Sequence, residues 1–174
     1  DTSGIVKYRF ITSDSGVTIS GSSGDTIVEG TSSTNQTLTA ALIGTPSANV
    51  NIIIDAPSDL SISGTNVSVV DASANTHVLT LNSSTTSDTF TVSAASSANS
   101  GAANIEYSTV STDTAYNALS IPDTNLTVQE NIATFTVSEV TYSSSSGYVS
   151  EGSSTTGTYT VTANGLTSSD TLEL

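Results

Sequence analysis

Apolar and polar residues alternate with a period of two along most of this chain. The pattern is clearest in QTLTAALI (36–43), NVNIIID (49–55), DTFTVSAA (88–95) and ANIEYSTV (103–110). Successive side chains of an extended strand point to opposite faces, so such alternation predicts strands with one buried face and one solvated face. Further strands are expected at 5–11 (IVKYRFI), 17–20, 60–63, 66–70, 76–82, 124–128, 132–142, 157–163 and 169–174. Clusters of Ser, Gly, Asn and Asp punctuate them at the spacing of about 8–12 residues that marks a sandwich or barrel. Pro46, Pro57 and Pro122 all fall between runs, where a missing N–H breaks no ladder. Helical periodicity is absent, and the expected class is all-β and antiparallel. The inward-facing set predicted from the alternation is Val17, Ile19, Leu38, Ala40, Leu42, Ile52, Ile54, Val67, Val69, Leu81, Phe90, Val92, Ile105, Tyr107, Leu126 and Val128.

The pattern also recurs. Val28-Glu29-Gly30 precedes the strand TLTAAL, and Ser150-Glu151-Gly152, at an offset of 122, precedes TYTVTA. Upstream, Asp1–Ile5 aligns with Asn131–Phe135 at an offset of 130, which requires a short insertion in the first copy. The expected organisation is a leading strand or linker (1–15), a sandwich (16–130) and the start of a second, incomplete repeat (131–174). Two readings follow. The chain is a window of a longer array, or its end strands pair with a neighbouring copy, because unpaired strand edges hydrogen-bond any extended partner.

Composition narrows the function classes. Ser and Thr supply 65 of the 174 residues, and only 35% are hydrophobic, yet Val, Ile and Thr sit in ordered alternation rather than in the aperiodic polar sequence of a disordered chain. Sixteen acidic residues face Lys7 and Arg9 alone, for a net charge of −14. Phosphate backbones and anionic lipid surfaces attract Lys and Arg, so nucleic acid and membrane surfaces are excluded as partners. Cysteine is absent, which removes disulfides and thiol chemistry. No apolar run approaches the roughly 18 residues that a membrane-spanning helix needs.

Three stretches resemble the Calx-beta-like family of Ig-like tandem repeats found in large prokaryotic surface proteins. Ile19-Ser20, Val28-Glu29-Gly30 and Thr37–Ala40 are similar to the family's opening. HVLTLNSSTTSDTFTVSAASS, from His77, is similar to its central two strands, and residues 108–131 to its closing segment with a Tyr-containing turn. The resemblance implies an Ig-like antiparallel β-sandwich and a calcium site built from carboxylates at one end of it. Calcium takes six to eight oxygen ligands. Glu29 and Glu151 match the acidic residue of the opening motif. Where the family has paired aspartates this chain has Ser96 and Ser97, and its closing acidic junction reads Gln129-Glu130-Asn131. Glu29, Glu130, Asn131 and Glu151 are therefore the candidate calcium ligands, against the simpler reading of Glu-Gly as a solvated turn.

Other chemistry is thin. His77 is the sole imidazole, so a zinc site or a Ser-His-Asp triad would have to use it, and a surface-facing cross-strand position is the simpler account. Lys7, flanked by Val6 and Tyr8, is an internal-crosslink candidate or an ordinary exposed lysine. Asn35, Asn66, Asn82 and Asn125 each begin an Asn-X-Ser/Thr glycosylation sequon. Tyr116 is expected to pack at a strand corner with its hydroxyl bonded to backbone. The function expected is a non-enzymatic structural repeat of an extracellular stalk, matrix or adhesin protein. The alternative is a self-assembling subunit of a surface filament or S-layer, a homopolymer built by strand exchange. A carbohydrate-binding accessory module is the least supported reading, since the chain has six Tyr, three Phe and no Trp.

Overall fold

The structure, a computed structural model, describes residues 15–21, 24–95, 98–132, 134–142, 151–152, 154 and 156–165. The expected strands 5–11 and 169–174, Lys7, Ser96 and Ser97 lie outside the described residues. The chain divides into two compact units, Asp1–Glu130 and Asn131–Leu174.

Two sheets build the first unit. β1 (Gly16–Ser20), β3 (Gln36–Ile43), β8 (Ser87–Ala94) and β5 (Leu60–Ser63) form a four-stranded sheet in the order β1-β3-β8-β5. β2 (Thr26–Val28), β10 (Thr124–Gln129), β9 (Gly101–Ser111), β4 (Val50–Asp55), β7 (Thr76–Leu81) and β6 (Val67–Asp71) form a six-stranded sheet in the order β2-β10-β9-β4-β7-β6. Among the described residues, every pairing in this unit is antiparallel except that of β2 with β10. The inner faces meet in one core that includes Leu38, Ala40, Phe90 and Val92 from the smaller sheet, and Ile52, Ile54, Leu79, Leu81, Ile105 and Leu126 from the larger. Burial alternates strictly along β4, β7, β9 and β10, as one inward face per sheet requires. The fold is an Ig-like antiparallel β-sandwich.

The strand at 36–43 and the strand at 60–63 have the limits read from the sequence, and most others differ by one or two residues. Three expectations fail. Val69 is 60% exposed, although it lies directly opposite the buried His77. The larger sheet is two strands wider than the smaller, so its edge strand β6 extends past the cover and buries only part of Val67. Residues 132–142 are not one strand but β11 (Thr134–Val137) and β12 (Thr141–Tyr142). Residues 157–163 likewise divide into β13 (Gly157–Thr158) and β14 (Val161–Asn164). The cause is a one-residue change of register, since the ladders β11–β14 and β12–β13 are out of step.

β2 is not expected from the alternation. Three residues are too few to show a period, yet Ile27 is fully buried. The chain crosses from β1 to β2, and so from one sheet to the other, through Gly21 at φ 143°. A Cβ there would lie 2.4 Å from Leu38 Cδ2, so only glycine passes.

The outer face of the larger sheet carries a like-charge pair, Asp55 directly opposite Glu106, with the Thr76 hydroxyl donating to Asp55 Oδ1 at 2.7 Å. Facing like charges destabilise a ladder. Glu106→Gln is expected to stabilise the unit by about 0.2–1 kcal/mol at low salt. The gain should shrink in high salt, because exposed charges are screened. Denaturant midpoints at two ionic strengths check this, and an equal gain in both would refute it.

The second unit is a hairpin-like arrangement whose register repeats one in the first. In the first, Val17 faces Leu42 and Ile19 faces Ala40 across β1–β3. In the second, Phe135 faces Ala163 and Val137 faces Val161 across β11–β14. The matching continues from Leu38 to Tyr159, and each hairpin contains a Glu-Gly turn, with Gly30 at φ 67° and Gly152 at φ 75°. This correspondence places Phe135 with Val17 instead of Ile5, and the insertion needed by the sequence alignment shrinks and moves to the second copy, whose hairpin is the longer of the two.

Candidate functional site

The strand ends of the first unit hold most of the residues singled out from the sequence. At one end, Gly16 pairs with Ile43, and the Ile43 carbonyl accepts a 2.6 Å hydrogen bond from the Tyr116 hydroxyl. Tyr116 belongs to the β9–β10 connection and is buried, the strand-corner role expected of it. Asp113, in the same connection, accepts from the Ser47 N–H at 2.8 Å and the Ser47 hydroxyl at 2.9 Å. These bonds, with one from the Ala115 N–H, hold the Asp113 carboxyl below its usual pKa.

At the opposite end β2 and β10 run side by side and leave the sandwich together. The Glu29 N–H donates to the Gln129 carbonyl at 3.0 Å, and the Glu130 N–H donates to Ser100 Oγ at 2.9 Å. Glu29 and Glu130 thus emerge from adjacent parallel strands. Asn131 opens the second unit, and Glu151 lies exposed in the turn with Gly152. Among the described residues, no group of three or more His, Cys, Asp or Glu side chains is arranged to hold a metal ion.

His77 is buried, not surface-facing: it is 6% exposed. It shares the inward parity of β7 with Leu79 and Leu81, whereas Val78 and Thr80 point outward. Its Nε2 lies 3.0 Å from Asn75 Oδ1. Asn75 donates through Nδ2 to the carbonyls of Pro57 and Leu60, each at 2.9 Å, so Oδ1 is the acceptor and His77 Nε2 carries the proton. Nδ1 is buried and unpartnered among the described residues. Asn75, at φ 54°, thereby ties the start of β7 to the β4–β5 connection. This arrangement positions structure and leaves no accessible base.

Burial lowers the His77 pKa from the usual 6.5. Below that pH the unfolded chain binds the proton more readily than the folded one, so stability falls with pH. The stability present above pH 6.5 is expected to be lost progressively on acidification below it. His77→Gln should remove that part of the pH dependence, and denaturant midpoints between neutral and mildly acid pH check it. Tyr107 behaves oppositely. Its hydroxyl donates to Thr124 Oγ1 at 2.9 Å, and burial pushes its pKa up to about 12.

The four sequon asparagines fall in different settings. Asn66 is exposed ahead of β6, with its amide donating to Asp88. Asn82 is half-buried and accepts from the N–H groups of Ser84 and Thr85 at 2.8 and 2.9 Å, which closes the β7–β8 turn. Asn35 is half-buried after the short 3₁₀ turn Ser32–Thr34, and Asn125 is exposed on β10.

No protein-family model matches the chain, and no curated protein matches it. Among solved structures it is similar to the C-terminal domain of the Streptococcus agalactiae AgI/II polypeptide BspA, with TM-score 0.47 and 6% identity over 70% of this chain and 52% of that one. The chain thus spans about half the length of that domain. It is also similar to a chain of the CaDoc0917–CaCohA2 complex, with TM-score 0.45 and 10% identity over 66% of this chain and 100% of the other. A third is a non-cellulosomal cohesin from the hyperthermophilic archaeon Archaeoglobus fulgidus, with TM-score 0.42 and 11% identity over 65% and 91%. No helix among the described residues is long and apolar enough to cross a membrane.

Proposed function

We infer that this chain is a non-enzymatic structural module of an extracellular surface or matrix protein, one repeat of an extended array of Calx-beta-like type. The observation that carries the reading is the placement of the chain ends. The first described strand of the first unit starts at Gly16, beside Ile43 and Tyr116, and the chain leaves that unit at Glu130, at the other end of the sandwich. Modules so built connect end to end and set reach. The parallel β2–β10 ladder suits this role. Tension on the two chain ends pulls β2 and β10 past one another, which loads their hydrogen bonds together instead of one at a time. The repeated hairpin register of the second unit supports the array, and the buried, Asn-bound His77 supports the absence of catalysis.

Force spectroscopy on the chain tests it. The first unit is expected to open in one step with a length gain of about 40 nm, from residues 15–130 at about 3.5 Å each. Thr127→Pro, which deletes the 2.9 Å bond from the Thr127 N–H to the Asp25 carbonyl, should lower the opening force. An opening force unchanged by that variant would sink the tension-bearing reading. Calcium at Glu29, Glu130, Asn131 and Glu151 and glycans on the four asparagines belong to the same proposal. Calcium titration by calorimetry and intact mass of the secreted protein test them.

A further inference from the structure

We propose that the outer face of the larger sheet is a docking surface for a basic amphipathic segment of another protein, which sets Lys or Arg against Asp55 and Glu106 and apolar side chains against Ile53, Val78 and Val110. This surface is additional to the end-to-end connection of modules and does not depend on it.

The smaller sheet shows what this chain places on a plain solvated face. Its outward positions are Ser and Thr apart from Gly16, Ala41 and Ile43, and no charged residue stands among them. The outward side of the larger sheet departs from that rule twice. Ile53 lies directly opposite Val78, both half-buried, and Val110 stands diagonally from Ile53 across β4–β9 and is 54% exposed. Two residues further along the same strands, at about 7 Å, a row of carboxylates crosses the sheet. Asp71 of β6 faces Thr76 of β7, Thr76 faces Asp55 of β4, and Asp55 faces Glu106 of β9. Asp71 accepts from the N–H groups of Ser73 and Ala74, and Asp55 from the Thr76 hydroxyl. Glu106 is exposed and has no such partner among the described residues, which contain no Lys or Arg to neutralise the row.

Like charges set directly opposite one another weaken a ladder, and native sheets break such rules chiefly at functional sites. A basic side chain over Asp55 and Glu106 removes the repulsion, so the strain left in the folded unit adds to the affinity for a cationic partner. The apolar side chains beside the row give that partner a second foothold. An extended segment of the pattern apolar-x-basic presents both kinds of side chain on one face at the same spacing of about 7 Å. Charge decides among the occupants. A second copy, of net charge −14, sets acid against acid, and nucleic acid and anionic lipid do the same. A neutral ligand leaves the carboxylates uncompensated. The acidic chain also draws a basic partner from a distance.

The test is fluorescence anisotropy of labelled peptides titrated with the full chain at low and high salt. One peptide repeats Ser-Val-Ser-Lys, a second replaces its Val by Ser, and a third replaces its Lys by Glu. The wild-type chain is expected to bind the first, more weakly as salt rises, and to leave the third unbound. The second peptide, and the first with Asp55→Asn/Glu106→Gln, should each bind about tenfold more weakly, a change of about 1.4 kcal/mol. That double variant loses only repulsion within the fold, so its urea midpoint should not fall, and Val110→Ser weakens the same peptide from the apolar side. Glu139→Gln/Glu173→Gln removes as many charges outside the first unit and should bind as wild type does. A first peptide that does not bind overturns the proposal, and so does a second peptide that binds equally well. Weakening no greater in Asp55→Asn/Glu106→Gln than in Glu139→Gln/Glu173→Gln overturns it too, because net charge alone then accounts for the attraction. Dimers of the peptide-free chain that Val110→Ser abolishes would assign the face to a second copy instead. None of these outcomes touches the opening force of the first unit, so failure here is separable from failure of the structural-module reading.

Discussion

Replacing Phe90 with Ala is expected to lower the unfolding free energy of the first unit by about 3–5 kcal/mol, the range for large-to-small changes at buried aromatic sites. Phe90 stands on β8 at the centre of the smaller sheet, is 1% exposed and lies opposite Leu38. Its ring meets Tyr107 of the larger sheet edge-on, with centroids 6.4 Å apart and planes at 63°. Removing it takes away apolar burial and this aromatic contact between the sheets, and it leaves a cavity lined by β-strands whose backbones cannot collapse inward. Ordinary domains are stable by only about 5–15 kcal/mol, so the variant is expected to be marginal or unfolded at body temperature. Urea unfolding followed by tyrosine fluorescence measures it. A loss below about 1 kcal/mol would show that the two sheets are not held by this core.

Tyr116 allows the two parts of one side chain's contribution to be separated. Tyr116→Ala is expected to cost about 3–5 kcal/mol, because the ring is almost completely buried under the β9–β10 connection. Tyr116→Phe keeps the ring and deletes only the 2.6 Å bond to the Ile43 carbonyl, so it should cost about 1–2 kcal/mol. The loss should appear at one end of the sandwich. Hydrogen exchange is expected to rise around Ile43, Ser47 and Asp113, which share that corner, and to stay unchanged at Gln129 and Glu130. Equal loss in the Phe and Ala variants would mean that the hydroxyl, and not the packing, anchors the corner.

Residues with a local signature were legible in the sequence alone. Strand alternation located Leu38, Ala40, Ile52, Ile54, Phe90, Val92, Ile105 and Leu126 in the core, because a strand shows its buried face in its own sequence. The Tyr-containing turn announced Tyr116, since a phenol between strands needs both an apolar pocket and an acceptor. Edge effects were not legible. Val69 alternates as a core residue does, and only the unequal width of the two sheets exposes it. His77 departs for the opposite reason: its polarity suggested water, while its parity with Leu79 and Leu81 turned it inward, where Asn75 Oδ1 accepts a hydrogen bond from its Nε2–H. The orientation of β2 against β10 was equally hidden, because parallel pairing joins residues about a hundred positions apart and leaves no mark in either strand.

Fold class, strand positions, most of the core and the acidic character of the surface therefore follow from the period of apolar residues and from composition, which are local properties of the chain. Three features emerge only on folding: which sheet each strand joins, the parallel pairing of β2 with β10, and the placement of the start of β1 and the end of β10 at opposite ends of the first unit. Those depend on pairing between distant segments, and a backbone hydrogen bond is chemically the same whichever strands it joins.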